Sequence, residues 1–223
     1  MTGYVGAPIG SAGRTWSRPI AKVTPASHGA GVTRMKLTRR ILLMLLLAAP
    51  GASGEPYEPV QGITRMEKLA FLLERILLEN RVLPKEVFGF EAYDFGPFSS
   101  QVYGDLEFLS QRGLMSEVPG PPEPEGVVES ESALKTMLGA SADETQEAKE
   151  PVFSLNSQGQ ALAAAKLMSS AQTDPEIREA MRAAGTIKAA FAQRPLSDLI
   201  SYVYRRYPDY AEKSTIRHRF LGR

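Results

Sequence analysis

The sequence predicts a mainly α fold: a winged helix-turn-helix unit with a small β-hairpin wing, followed by a C-terminal helical extension. Three observations carry that expectation. The stretch Phe90–Gly113 joins an aromatic, β-prone approach to a Gly96-Pro97 turn, then to a helix with Val102, Leu106 and Leu109 on one face and Gly113 as its stop. Upstream, Met66, Leu69, Leu73, Ile76 and Leu77 recur at helical spacing. Downstream, Leu114–Val118 and Val152–Leu155 read as the two strands of a hairpin, the wing.

The first helix is expected over Lys36–Ala49, stopped by Pro50-Gly51. Its basic start, nine-residue apolar run Ile41–Ala49 and small residues up to Gly54 also imitate a signal peptide. The run is too short to span a bilayer, which takes about 20 apolar residues. A buried helix is the expectation, in a cytoplasmic protein whose start is Met1 or Met35. Glu55–Gly62 reads as an extended loop, because Pro56 and Pro59 exclude a helix. The second helix spans Thr64–Glu79, with Thr64 and Glu67 as a capping box and Glu67, Lys68, Glu74 and Arg75 as its polar face. Val87–Phe95 reads as a short strand or extended arm. Ser99–Arg112 is the third helix, capped by Ser99 or Ser100.

Beyond the wing, Asn156–Gly159 reads as a turn or cap leading into a helix through Ala161–Ser169. Further helices are expected at Pro175–Gly185, continuing or restarting through Phe191, and at Leu196–Tyr207, which Pro208 closes. The expected organisation is a disordered extension over 1–34, a winged-helix domain over 35–170 with an acidic insertion at 116–150, and a helical extension over 171–223 that packs on the domain or forms a homodimer. A helical turn is placed at 134–138 within the insertion.

Composition narrows the chemistry. The 223 residues suit one or two domains, and an apolar fraction of 43% supplies a core. Cysteine is absent, which excludes disulfides, thiolate metal sites and cysteine nucleophiles. His28 and His218 are the only imidazoles and fall in ends expected to be poorly structured, so neither a zinc site nor a histidine triad is expected. No phosphate loop, dinucleotide fingerprint, nucleophile elbow or zinc-binding helix motif occurs. The expectation is a non-enzymatic protein with no catalytic residue, cofactor or metal.

The formal charge of +1 hides segregation. Residues 1–34 carry four basic residues and no acid, residues 116–150 two basic against nine acidic, and residues 151–223 eleven basic against six acidic. Such asymmetry bears on partners rather than on fold.

Several motifs carry a resemblance. Gly62-Ile-Thr-Arg-Met-Glu-Lys-Leu69, Tyr93-Asp-Phe-Gly-Pro-Phe-Ser99 and Val102-Tyr-Gly-Asp-Leu-Glu-Phe-Leu109 resemble an uncharacterised prokaryotic winged-helix family. That family shares a K-L-x-F-L-L second helix and a Y-x-(Y/F)-G-P-(Y/F)-S lead into the third. Phe153-Ser-Leu-Asn-Ser-Gln-Gly159 matches a rhythm common in winged helices, and Leu199–Pro208 with Lys213-Ser214 looks like the family's tail. More distantly the chain resembles Panacea-domain antitoxins. The resemblance implies fold more than activity and brings no catalytic residue.

The expected function is a DNA-binding transcription regulator, with one alternative. A DNA-binding transcription regulator would use Ser99, Ser100, Gln101, Gln111 and Arg112 of the third helix, with Arg205, Arg206, Lys213, Arg217 and Arg219 of the basic tail. Against it, the outward side of the third helix is read as Gln101, Gly104, Asp105, Ser110 and Gln111 with Glu107 on the flank, and phosphates do not favour carboxylates. The alternative is an adaptor or antitoxin-like module that binds a protein partner without touching DNA. Tyr202, Tyr204, Tyr207 and Tyr210 interleave with the tail arginines and are expected to dock on the core.

Overall fold

A computed structural model describes residues 35–120 and 150–221. The expectations for 1–34, for most of the acidic insertion including the turn at 134–138, and for His28 and Arg223 fall outside those residues. The described part is mainly helical with a small antiparallel sheet.

Helix α1 (Arg39–Ala48) starts at Thr38, whose hydroxyl accepts the Ile41 amide. Every residue from Leu42 to Ala49 is buried, so the helix is enclosed on all sides. The run that imitates a signal peptide is thus the centre of the core, and each enclosed leucine contributes about 1.5–3 kcal/mol. The expected loop after it contains a strand, β1 (Val60–Gln61). Helix α2 (Ile63–Glu79) starts earlier than expected, with Gly62 at the cap position, so Thr64 lies inside the helix rather than at its cap. Glu67 is instead drawn inward to the lead of the third helix.

The Gly96-Pro97 turn is also displaced. Strands β2 (Glu91–Tyr93) and β3 (Gly96–Phe98) pair as a hairpin around Asp94-Phe95, so Gly and Pro open the second strand. Helix α3 (Ser100–Gln111) is capped by Ser99, as expected. Where a wing is expected, β4 (Met115–Pro119) pairs antiparallel with β5 (Pro151–Leu155), from Met115 opposite Leu155 to Pro119 opposite Pro151. Ser116–Pro119 therefore belong to the strand rather than to the insertion. Strand β1 joins the other edge of β5, giving the order β1-β5-β4.

Helix α4 begins at Ser157 with Asn156 as its cap, earlier than expected. It runs through a π-helical stretch, Ala163–Met168, into Ser169–Thr173. A Cβ on Gly159 would collide with the Leu114 carbonyl, so only glycine allows α4 to start against the end of α3. Asp174 caps α5 (Pro175–Phe191), one continuous helix. Helix α6 (Leu196–Arg206) leads into a 3-10 turn at Pro208–Ala211 and a short α7 (Arg217–Leu221), beyond the last helix expected within the extension. His218 lies exposed on α7.

Helix α2 packs against α1, α5, α6 and β3 and is buried all round. One continuous apolar cluster includes residues on both sides of position 170. Among the described residues no helix is long and apolar enough to cross a membrane.

Candidate interaction surface

The four residues read as the polar face of α2 face the interior. Lys68 Nζ donates to Glu67 Oε2 at 2.7 Å and to the Pro97 carbonyl at 2.8 Å. Glu67 Oε1 accepts the Ser99 amide at 2.9 Å, and Ser99 Oγ donates to the Phe88 carbonyl at 2.6 Å. Glu74 accepts the amides of Val87 and Phe88, and Arg75 bridges Glu74 to Glu86. Burying such charges is tolerable only when they are paired and hydrogen-bonded. This network aims α3, because it holds the residues that lead into it.

Ser99 is consequently a positioning residue: it is 2% exposed and cannot meet a phosphate as expected. Ser100, Gln101, Gln111 and Arg112 are exposed along α3, with Gln111 donating to Glu107. Asp105, expected on the outward side, is instead 2% exposed and accepts from Arg39 Nε at 2.7 Å and Arg40 Nε at 2.9 Å. The start of α1 thus covers one flank of α3. The Arg40 guanidinium lies 3.6 Å from the centre of the Phe108 ring, and that of Arg112 lies 5.1 Å from it. In sequence Arg39 and Arg40 are only the basic start of an apolar run, and no local signal marks them as neighbours of α3.

The opposite flank of α3 faces the β4–β5 strand pair across a groove of about 410 Å³. Tyr103, Glu107, Ser110 and Gln111 line one wall; Glu117 comes from β4, Phe153 from β5 and Ile63 from α2. Tyr103 is 40% exposed and continues a row of aromatic rings, with Phe98 at 5.6 Å and Tyr93 beyond it at 5.1 Å. The groove is of mixed character, with Glu107, Ser110, Gln111 and Glu117 beside Tyr103, Ile63, Leu106 and Phe153. The outward ridge, Ser100, Gly104, Glu107 and Gln111, carries no cation.

The tail residues belong to a different neighbourhood. Helix α6 packs chiefly on α2, the 3-10 turn and α7, whereas α3 packs on α1 and β4. Arg205 and Arg206 are exposed at the end of α6, Arg206 bonded to Glu79. Lys213 lies exposed in the turn before α7, and Arg217 and Arg219 lie exposed on α7. The tyrosines pack inward. Tyr204 is fully buried and shares a hydrogen bond with Ser214, while Tyr207 and Tyr210 set their rings against Phe71. Burial pushes the Tyr204 hydroxyl up to about 12, the Ser214 hydrogen bond pulling the other way.

Lys188 is a further buried cation, donating to the Leu47 and Ala49 carbonyls at the end of α1. Desolvation lowers its pKa to about 8, against the pull of Glu58. Among the described residues no group of three histidines and carboxylates is placed to hold a metal. Comparison of the chain with protein-family models, with curated proteins and with solved structures finds no match.

Proposed function

We propose that the chain is a winged-helix protein working as an interaction module, whose α3–wing groove takes a basic, partly apolar segment of a partner protein. Three helices around one core, with a hairpin after the third, support the winged-helix reading. The segments that carry the resemblance, Gly62–Leu69, Tyr93–Ser99 and Val102–Leu109, lie on α2, on the lead into α3 and on α3 itself, which is compatible with that reading.

The observation that carries the functional reading is the lining of the groove. Glu107 and Glu117 edge it, and Tyr103, Ile63 and Phe153 supply apolar surface. Duplex DNA draws its affinity from cations on phosphates, and the ridge of α3 that would enter a DNA groove has none. The segment following β4 adds further acid beside the wing in sequence. Exposed aromatics with a charged rim suit a protein partner of opposite charge.

Affinity purification from the source cells tests this when wild type is compared with the Tyr103→Ala, Glu107→Lys double variant. A partner held by the wild type and released by the variant supports the reading. An identical set of bound proteins on both contradicts it.

A second reading, the DNA-binding regulator, is favoured by one observation. Arg40 and Arg112 flank Phe108 with Arg39 adjacent, a cationic edge beside α3. It predicts binding to labelled duplex DNA that weakens steeply with salt and is lost in the Arg40→Ala, Arg112→Ala variant.

A further inference from the structure

We propose that a second cleft, between the end of α5 and the outer face of α6, binds a small ligand joining a phosphate to an aromatic ring, a mononucleotide by chemistry. The cleft measures about 350 Å³ and is lined by Phe191, Arg194, Asp198, Ser201, Tyr202, Arg205 and Arg206. It shares no lining residue with the α3–wing groove, so it stands apart from the proposed docking function. That volume lies in the range of small-molecule sites, about 300–1,000 Å³.

The chemistry is asymmetric. Tyr202, half-buried, packs its ring 5.0 Å from that of the buried Phe191 and supplies the aromatic wall of the cleft. Three guanidinium groups line the remainder, against the single carboxylate of Asp198. Arg206 is held by Glu79, which sits outside the cleft. Arg205 donates to the neutral hydroxyl of Ser201, and this pair presents a planar cationic fork beside a hydroxyl. A guanidinium fork matches a phosphate by paired hydrogen bonds, and an aromatic face takes a base by stacking.

The cleft is also pre-organised. Arg65 reaches from α2, 8% exposed, and donates from one Nη1 to the Phe191 carbonyl at 2.8 Å and the Arg194 carbonyl at 2.6 Å. Its Nε meanwhile donates to the Gln61 carbonyl. The loop from Phe191 to Arg194 is therefore fixed before any ligand arrives, which reduces the ordering cost of binding.

Equilibrium dialysis of the full chain against AMP tests the assignment, with adenosine and inorganic phosphate as separate arms. The expected result is saturable AMP binding with a Kd below about 1 mM, while adenosine and phosphate each bind at least about tenfold more weakly. Arg205→Ala is expected to weaken AMP about tenfold or more, and Arg205→Lys to weaken it less, since the charge stays and the fork is lost. Arg205 is exposed, so both variants keep the wild-type melting temperature. Failure of AMP to saturate, equal binding by wild type and Arg205→Ala, or phosphate binding as tightly as AMP would each overturn the proposal. None of these outcomes bears on the α3–wing groove.

Discussion

The ring of Tyr204 lies against the backbone of Gly96, so that a Cβ added at that glycine would stand 2.7 Å from the tyrosine Cε1. This pair locks α6 to the β2–β3 hairpin. The lock is reinforced from the far side, where Ser214 Oγ donates to the Asp94 carbonyl while sharing a hydrogen bond with the Tyr204 hydroxyl.

Gly96 also has φ of 91°, a conformation that L side chains rarely adopt. Gly96→Ala therefore combines strain with a clash against a fully buried ring. It is expected to cost about 2–4 kcal/mol in a urea melt. Tyr204→Phe keeps the ring and loses the hydroxyl, at a cost of about 1 kcal/mol. Equal melting of wild type and Gly96→Ala would show that the hairpin does not bear on α6 as described.

The Glu67–Lys68 pair gives a sign-sensitive test. Glu67→Ala removes a buried carboxylate that accepts from both Lys68 and the Ser99 amide and is expected to destabilise by about 3–5 kcal/mol, whereas Glu67→Gln, which keeps an acceptor for that amide, is expected to be milder. Denaturant titrations of the three proteins measure both.

This pair also shows where the sequence was legible and where it was not. The helices α2, α3 and α6 and the spans of strands β4 and β5 were readable because apolar periodicity and turn residues are local signals. Their register, with Val118 opposite Val152, comes from the structure. Glu67, Lys68 and Glu74 looked like a solvated face because a sequence window cannot see that α1, α5, α6 and β3 surround α2. Asp105 misled for the same reason, since its partners Arg39 and Arg40 are 66 and 65 positions away in sequence. Strand β1 escaped because two residues carry no alternation. Tyr103, Glu107 and Glu117 were each visible as residues, but their meeting in one groove depends on how the wing folds back beside α3.

Lys188 predicts a pH dependence. Its folded pKa of about 8 lies below the ordinary 10.5, so between those values the unfolded chain holds more protons than the folded one. Stability accordingly rises with pH across that window, at no more than about 1.4 kcal/mol per pH unit. Above pH 10 the tyrosines work the other way. Tyr204, raised to about 12, stays protonated in the folded chain while the unfolded chain ionises, so stability then falls. Thermal melts from pH 7 to 11 are expected to show the rise and the later decline, and Lys188→Met is expected to remove the rise alone.

Asp105→Asn tests the flank that α1 covers. Removing the carboxylate charge leaves Arg39 and Arg40 uncompensated beside Arg112. Stability is expected to fall by about 1–3 kcal/mol, and retention on a heparin column to increase. Unchanged retention would show that these arginines do not present a usable cationic edge.

The most direct measurement places a photo-crosslinking amino acid at Tyr103, on the wall of the α3–wing groove, and irradiates the protein in its source cells. The interaction-module account predicts adducts that are destroyed by protease and survive nuclease. Adducts that carry nucleic acid, and shift on nuclease treatment, would contradict it.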